Sequence, residues 1–166
     1  ADYALTDLGV THTLIGLDGP FAWEAMTLLE GPDIIGFPYA SFFHPRPDAT
    51  YFRAGRTGEF GYLLLIPHTE ATALWRELVA SGGPRCGLRE VGHAALAHAS
   101  LENWFFDMHR EGALGLSPIE LQLQWRLATE DKDYVGRAAL AARAVTQRTV
   151  GLEAAAPLES GAAITY

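Results

Sequence analysis

The sequence predicts an α+β fold in which mixed sheets pack against helices, and three observations lead there. Short apolar runs of strand length alternate with longer stretches whose apolar residues recur at helical spacing. Glycine and proline punctuate these segments, at Gly31-Pro32, Gly55-Arg56-Thr57-Gly58 and Gly82-Gly83-Pro84. Neither Gly-x-Gly-x-x-Gly nor Walker spacing occurs, which argues against a nucleotide-binding doubly wound sheet.

The elements follow in order. Residues 11–17 are β-rich and close at the turn Asp18-Gly19-Pro20; residues 21–29 have helical spacing and stop at Gly31-Pro32. Residues 32–47 combine prolines with Phe37, Tyr39, Phe42 and Phe43, which predicts a wandering, partly buried connection with one short strand. Residues 50–54 and 60–66 are apolar runs joined by a loop in which Gly55 or Gly58 can supply a positive φ, so they predict a β-hairpin. A helix opens at His68-Thr69-Glu70, capped by Thr69 or His68, and is expected to end at Ser81-Gly82-Gly83-Pro84. A second helix, over 89–106, places Val91, Ala95, Leu96 and Ala99 on one face and His98 with Glu102 on another. Residues 121–127 and 149–153 read as strands and 136–145 as a helix.

At 166 residues the chain suits one ordinary domain, which buries roughly two-thirds of its unfolded surface. Twenty acidic against 12 basic residues leave a net charge of -8 with no basic cluster, which sets nucleic acid aside. No apolar run approaches the roughly 20 residues of a membrane span, and no signal-like segment opens the chain. A lone cysteine, Cys86, makes no internal disulfide; it is expected to be an inert packing residue in a cytoplasmic protein. The opening on Ala1, straight into ordered-looking sequence, predicts a portion of a longer protein.

The run Arg53-Ala54-Gly55-Arg56-Thr57-Gly58-Glu59-Phe60-Gly61-Tyr62-Leu63 resembles the Arg-x-Gly-Tyr-Thr-Gly-Glu-x-Gly-Tyr-Glu signature of the folate-binding aminomethyltransferase family, the glycine cleavage T-protein family. Further motifs agree in order. Leu17-Asp18-Gly19-Pro20 is similar to Leu-Gln-Gly-Pro, and Leu101-Glu102-Asn103 lies where the family has Leu-Arg-x-Glu-Lys, most like the folate domains of dimethylglycine and sarcosine dehydrogenases. Ser117-Pro118-Ile119-Glu120 resembles Ser/Thr-Pro-Leu-Glu, and the run from Lys132 to Leu140 resembles Lys-x-Asp-Phe-Ile-Gly-x-x-Ala-Leu. Gly151-Leu152 with Pro157-Leu158 is similar to the opening of the family's final domain.

The resemblance implies a T-protein-type folate-binding domain over 1–147 and the start of a C-terminal domain or tail over 148–166. The family's N-terminal part, with its catalytic acidic residue, and its C-terminal barrel lie outside the sequence, so another chain or segment is the implied partner. The implied activity is transfer of a methyl, methylene or aminomethyl group with tetrahydrofolate, demethylation included. Two alternatives stand beside it: a folate-independent enzyme of specialised metabolism reusing the cavity, and a non-catalytic partner or scaffold.

Two signature positions depart from the family: Arg56 stands for its tyrosine and Leu63 for the glutamate that accepts from the pteridine ring. Arg56 keeps a planar cation that can stack or pair with a carboxylate, or lie solvated in the loop. Glu59 and Tyr62 retain their family identities, Glu59 as a contact or as an acceptor for backbone N–H groups. Ser100 replaces the arginine of the helical motif, while Glu102 keeps its glutamate. Trp104, in Trp104-Phe105-Phe106, is a candidate cavity or core aromatic. His98, one turn before Glu102, is the candidate general acid or base, because a carboxylate holds an imidazole in one tautomer. No metal is expected: His93 and His98, five apart, diverge by about 140° around a helix.

Overall fold

The computed structural model describes residues 4–107, 109–127 and 132–163. The chain divides into two compact units, Ala1–Asp107 and Met108–Tyr166; the expected boundary at 147 falls inside the second.

The first unit is built on four strands: β1 (His12–Asp18), β2 (Phe42–Arg46), β3 (Ala49–Phe52) and β4 (Gly61–Pro67). They form one antiparallel sheet of order β1-β4-β3-β2. Helices α1 (Ala22–Glu30) and α2 (His68–Cys86) pack on one face, and α3 (His93–Glu102) follows. The period of two along each strand separates the faces. Ile15, Leu17, Tyr51, Tyr62, Leu64 and Ile66 point to the helices and form the core with Ala22, Met26 and Leu78. Leu14, Gly16, Asp18 and Leu63 lie on the other face, Gly16 opposite Leu63 and Asp18 opposite Gly61.

The first strand, the first helix and the hairpin of the sequence reading are present, with β3 and β4 in the register Tyr51↔Leu64. The short strand expected within 32–47 is β2, which turns into β3 at Pro47-Asp48. Phe43 there meets Phe37 and Tyr51 edge to face, at centroid distances of 5.0 and 5.6 Å.

Both later helices differ from expectation. Helix α2 passes through Gly82, Gly83 and Pro84 and ends only at Gly87, which is left-handed at φ 69 and bonds Gly83 O through its N–H. Packing overrides propensity here: Gly82 is buried against Leu88, whose Cδ2 would stand 2.9 Å from a Cβ at that position. Nor does a side chain cap α2. The His68 N–H is taken by Thr11 O at 3.0 Å and the His68 ring by Thr13 Oγ1 at 2.8 Å. Helix α3 is shorter than 89–106 because Gly92 is extended before it, while Trp104 takes φ 52 after it and cannot continue a right-handed helix.

The second unit holds α4 (Arg137–Ala142) and short 3-10 turns at Gly112–Leu114 and Gln124–Arg126. The strands expected over 121–127 and 149–153 are absent from these described residues. Gln122 has φ 59, and the N–H groups of Leu121 and Leu123 turn back to Ser117 O and Pro118 O, so the segment is a chain of turns. Its centre is the buried Glu120. Oε2 accepts the Ser117 N–H at 2.8 Å while Ser117 Oγ accepts the Glu120 N–H at 3.3 Å, a reciprocal capping box. Oε1 faces Thr146, and Arg143 Nη2 stands 3.3 Å from Oε2. These donors, Ser117 first, draw the Glu120 carboxyl down to about 2.

Candidate functional site

The signature loop, residues 53–60, leaves β3 and returns as β4, and it is tied at every corner. Arg53 is buried; it donates to Gly61 O at 2.9 Å and lies over the rings of Phe60 and Tyr62, at 4.5 and 4.9 Å from their centroids. Asp18, at the end of β1, accepts the Arg56 N–H at 2.6 Å, the Thr57 N–H at 3.2 Å and the Thr57 hydroxyl at 3.3 Å, all on Oδ1. Ser100 on α3 donates to Arg56 O at 2.6 Å. The peptide groups of Arg56 are therefore clamped from both sides, which fixes where its side chain departs.

Beside this loop, along β1, lies a cavity of about 450 Å³. Leu14, Gly16, Asp18 and Leu63 line it from the sheet, Trp75, Leu78 and Val79 from α2, and Leu88, Val91, His93 and Leu96 from the last stretch of the unit. Arg56, Arg89 and Glu90 are its other charged neighbours. The Glu90 carboxylate accepts from the Trp75 indole N–H. Among the described residues no carboxylate lies within 4.0 Å of the Arg56 guanidinium. Asp18 Oδ2 accepts no hydrogen bond among the described residues, and it stands 3.8 Å from the position a Gly16 Cβ would take. Burial pushes the Asp18 carboxyl above its ordinary 3.8, against the opposing pull of the Arg56 and Thr57 donors and the Arg56 charge.

The candidate residues divide sharply. Arg56 lines the cavity, as does Leu63, the substituted signature position. Tyr62 faces the other side of the sheet, buried in the core. Glu59 is exposed in the loop. His98 and Glu102 form an i,i+4 pair at 3.5 Å on the solvent side of α3, with side chains 73% and 67% exposed, and neither lines the cavity. Trp104, left-handed and 54% exposed, lies just past the helix and outside the cavity wall. Among the described residues no three His, Cys, Asp or Glu side chains converge as metal ligands do.

Asp18 and Ser100 hold the signature loop in place, a role that sequence reasoning missed. Asp18 in Asp-Gly-Pro reads locally as a turn former, and its partners lie 38 and 39 residues away. The one signal was chemical: a carboxylate where the resembling motif carries an amide.

The GCVT N-terminal domain family matches residues 1–131. An aminomethyltransferase of Flavobacterium psychrophilum is 30% identical over 140 residues, 82% of this chain and 38% of that protein. One from Methylococcus capsulatus is 36% identical over 97 residues, 57% of this chain and 26% of the relative. One from Chlorobium luteolum is 27% identical over 139 residues, 81% and 38% of the two chains. The chain thus spans well under half the length of these curated relatives. With most of its length matched and the signature motif present, this chain belongs to the GCVT N-terminal domain family, the glycine cleavage T-protein family.

Proposed function

We propose that the chain belongs to a one-carbon transferase that moves a methyl, methylene or aminomethyl group with tetrahydrofolate, in a divergent form. One observation carries this reading: the family signature loop is locked by Asp18 and Ser100 and sets Arg56 and Leu63 on the wall of one cavity. When bound, tetrahydrofolate supplies the nitrogen carrier for the one-carbon unit.

The cavity suits that group in shape and in part in chemistry. Leu14, Leu63, Leu78, Leu88 and Leu96 offer apolar walls for a flat ring and exclude water from it. A ring with N–H donors also needs an acceptor, which Leu63 lacks and which Asp18 Oδ2 can provide. Arg56 can orient an anionic end of either reactant. The work of these residues is binding and orientation, which is a large part of what such transfers require. An acidic group for proton transfer would come from a segment or partner beyond these residues, in the cytoplasmic setting expected of a chain with a lone cysteine.

Calorimetric titration of the full-length protein with tetrahydrofolate tests the reading, with stoichiometric binding expected. No detectable binding would sink it. Leu63→Glu, which adds a carboxylate to the wall, should tighten tetrahydrofolate about tenfold, or roughly 1.4 kcal/mol.

A second reading, a folate-independent enzyme using the same cavity, is favoured by two details. Leu63 makes that wall apolar, and the Ser100 hydroxyl is already committed to Arg56 O and Leu96 O. It predicts retention of flat ligands with no response to tetrahydrofolate.

A further inference from the structure

We propose that Asp18 is the hydrogen-bond acceptor that decides what this cavity holds, and that its ligand is a flat, largely apolar molecule presenting an N–H donor. This concerns the cavity's grip and does not depend on tetrahydrofolate being the occupant.

The two oxygens of the Asp18 carboxylate differ in their surroundings. Oδ1 is saturated by three donors from the signature loop, at 2.6, 3.2 and 3.3 Å. Those bonds hold the carboxylate plane in place, so the second oxygen is positioned before any ligand arrives. Oδ2 has no donor among the described residues and is not sealed from the cavity, since no buried side-chain polar atom there lacks a partner. It looks over Gly16: a Cβ built there would lie 3.8 Å from Oδ2 and 3.7 Å from Leu63 Cδ2. The absence of a side chain at residue 16 therefore leaves a niche with an acceptor on one side and a methyl group on the other. An N–H edge on an apolar ring matches both.

Of the three other charges on the cavity, Arg89 is a cation that offers an N–H donor no acceptor, and Glu90 and Arg56 are weaker claimants. Glu90 already accepts from Trp75. Arg56 has a fixed backbone, but its guanidinium makes no hydrogen bond among the described residues, so ordering that long side chain on an anion costs rotamer entropy that Asp18 has already lost.

The test is calorimetric titration of the full chain with two probes of one shape, 2-naphthamidine as N–H donor and 2-naphthoate as acceptor. The amidine should bind at least tenfold tighter. Asp18→Asn keeps an oxygen for the loop donors and replaces Oδ2 with an NH2 group, so the preference should vanish or reverse. A purely structural role for Asp18 would instead move both affinities together. Gly16→Ala fills the niche without touching the loop and should weaken the amidine at least tenfold; it carries the same decision if Asp18→Asn fails to fold by circular dichroism. Equal or tighter binding of the naphthoate, an unchanged preference in Asp18→Asn, unchanged amidine binding in Gly16→Ala, or no amidine binding at millimolar concentration would each overturn the proposal. Tetrahydrofolate titration of the same samples reads the transferase proposal separately.

Discussion

Gly55 and Gly61 cross so closely that a Cβ on Gly61 would lie 2.2 Å from Gly55 Cα, and one on Gly55 would lie 3.0 Å from Gly61 Cα and 2.8 Å from Asp18 Oδ1. The two ends of the signature loop pass each other with no room for a side chain, directly beneath the carboxylate that holds the loop. Glycine is required here for contact: neither residue has a positive φ.

Gly61→Ala should therefore cost about 3 kcal/mol, the upper range of overpacking, because the atoms that must yield are backbone. Gly16→Ala meets only ordinary contacts and should be neutral or slightly stabilising, since glycine weakens a strand interior. Urea unfolding of the two variants measures the contrast.

Asp18→Ala should destabilise by about 2 kcal/mol, by leaving the loop donors without their acceptor, whereas Asp18→Asn should retain most of the stability. The pH dependence follows from the raised carboxyl. A folded pKa above the ordinary 3.8 makes Asp18's contribution fullest below that value, and it is lost as pH rises through the folded pKa. Wild type should thus fall in thermal midpoint relative to Asp18→Asn as pH rises from 4 toward 7. Carbon-13 titration of the Asp18 carboxyl should give a midpoint above 3.8.

Ser100→Ala removes the hydroxyl that joins α3 to the loop, its one proton shared between Arg56 O at 2.6 Å and, within the helix, Leu96 O at 2.9 Å. Because Ser100 is buried, a loss of about 1–2 kcal/mol is expected. Hydrogen exchange should quicken at the Arg56 and Thr57 amides while the β1 and β4 amides keep their protection.

Glu120 gives the second unit the opposite pH response. Its carboxyl titrates at about 2 against 4.5 when unperturbed, so its stabilising contribution is present above 4.5 and is lost as pH falls toward 2. Exchange at the Ser117 and Thr146 amides should accelerate across that window. Glu120→Gln should remove most of the acid dependence and lower the thermal midpoint at neutral pH.

By itself the sequence determined the strand-helix-hairpin order of the first unit and the family, because alternation, helical spacing and a glycine-rich signature are local patterns carried by consecutive residues. It also marked positions 56 and 63 as altered. Only the tertiary structure decided which residues share a site. Leu63 meets Gly16 through the β1–β4 register, a pairing across more than forty positions, and Asp18 meets the Arg56 N–H across 38, separations that no local period encodes. The same long-range packing carried α2 through Gly82-Gly83-Pro84, which local propensity reads as a stop. It turned Tyr62 into the core and left His98 and Glu102 on the solvent side of α3, for a helical i,i+4 spacing says that two residues meet but not what they face.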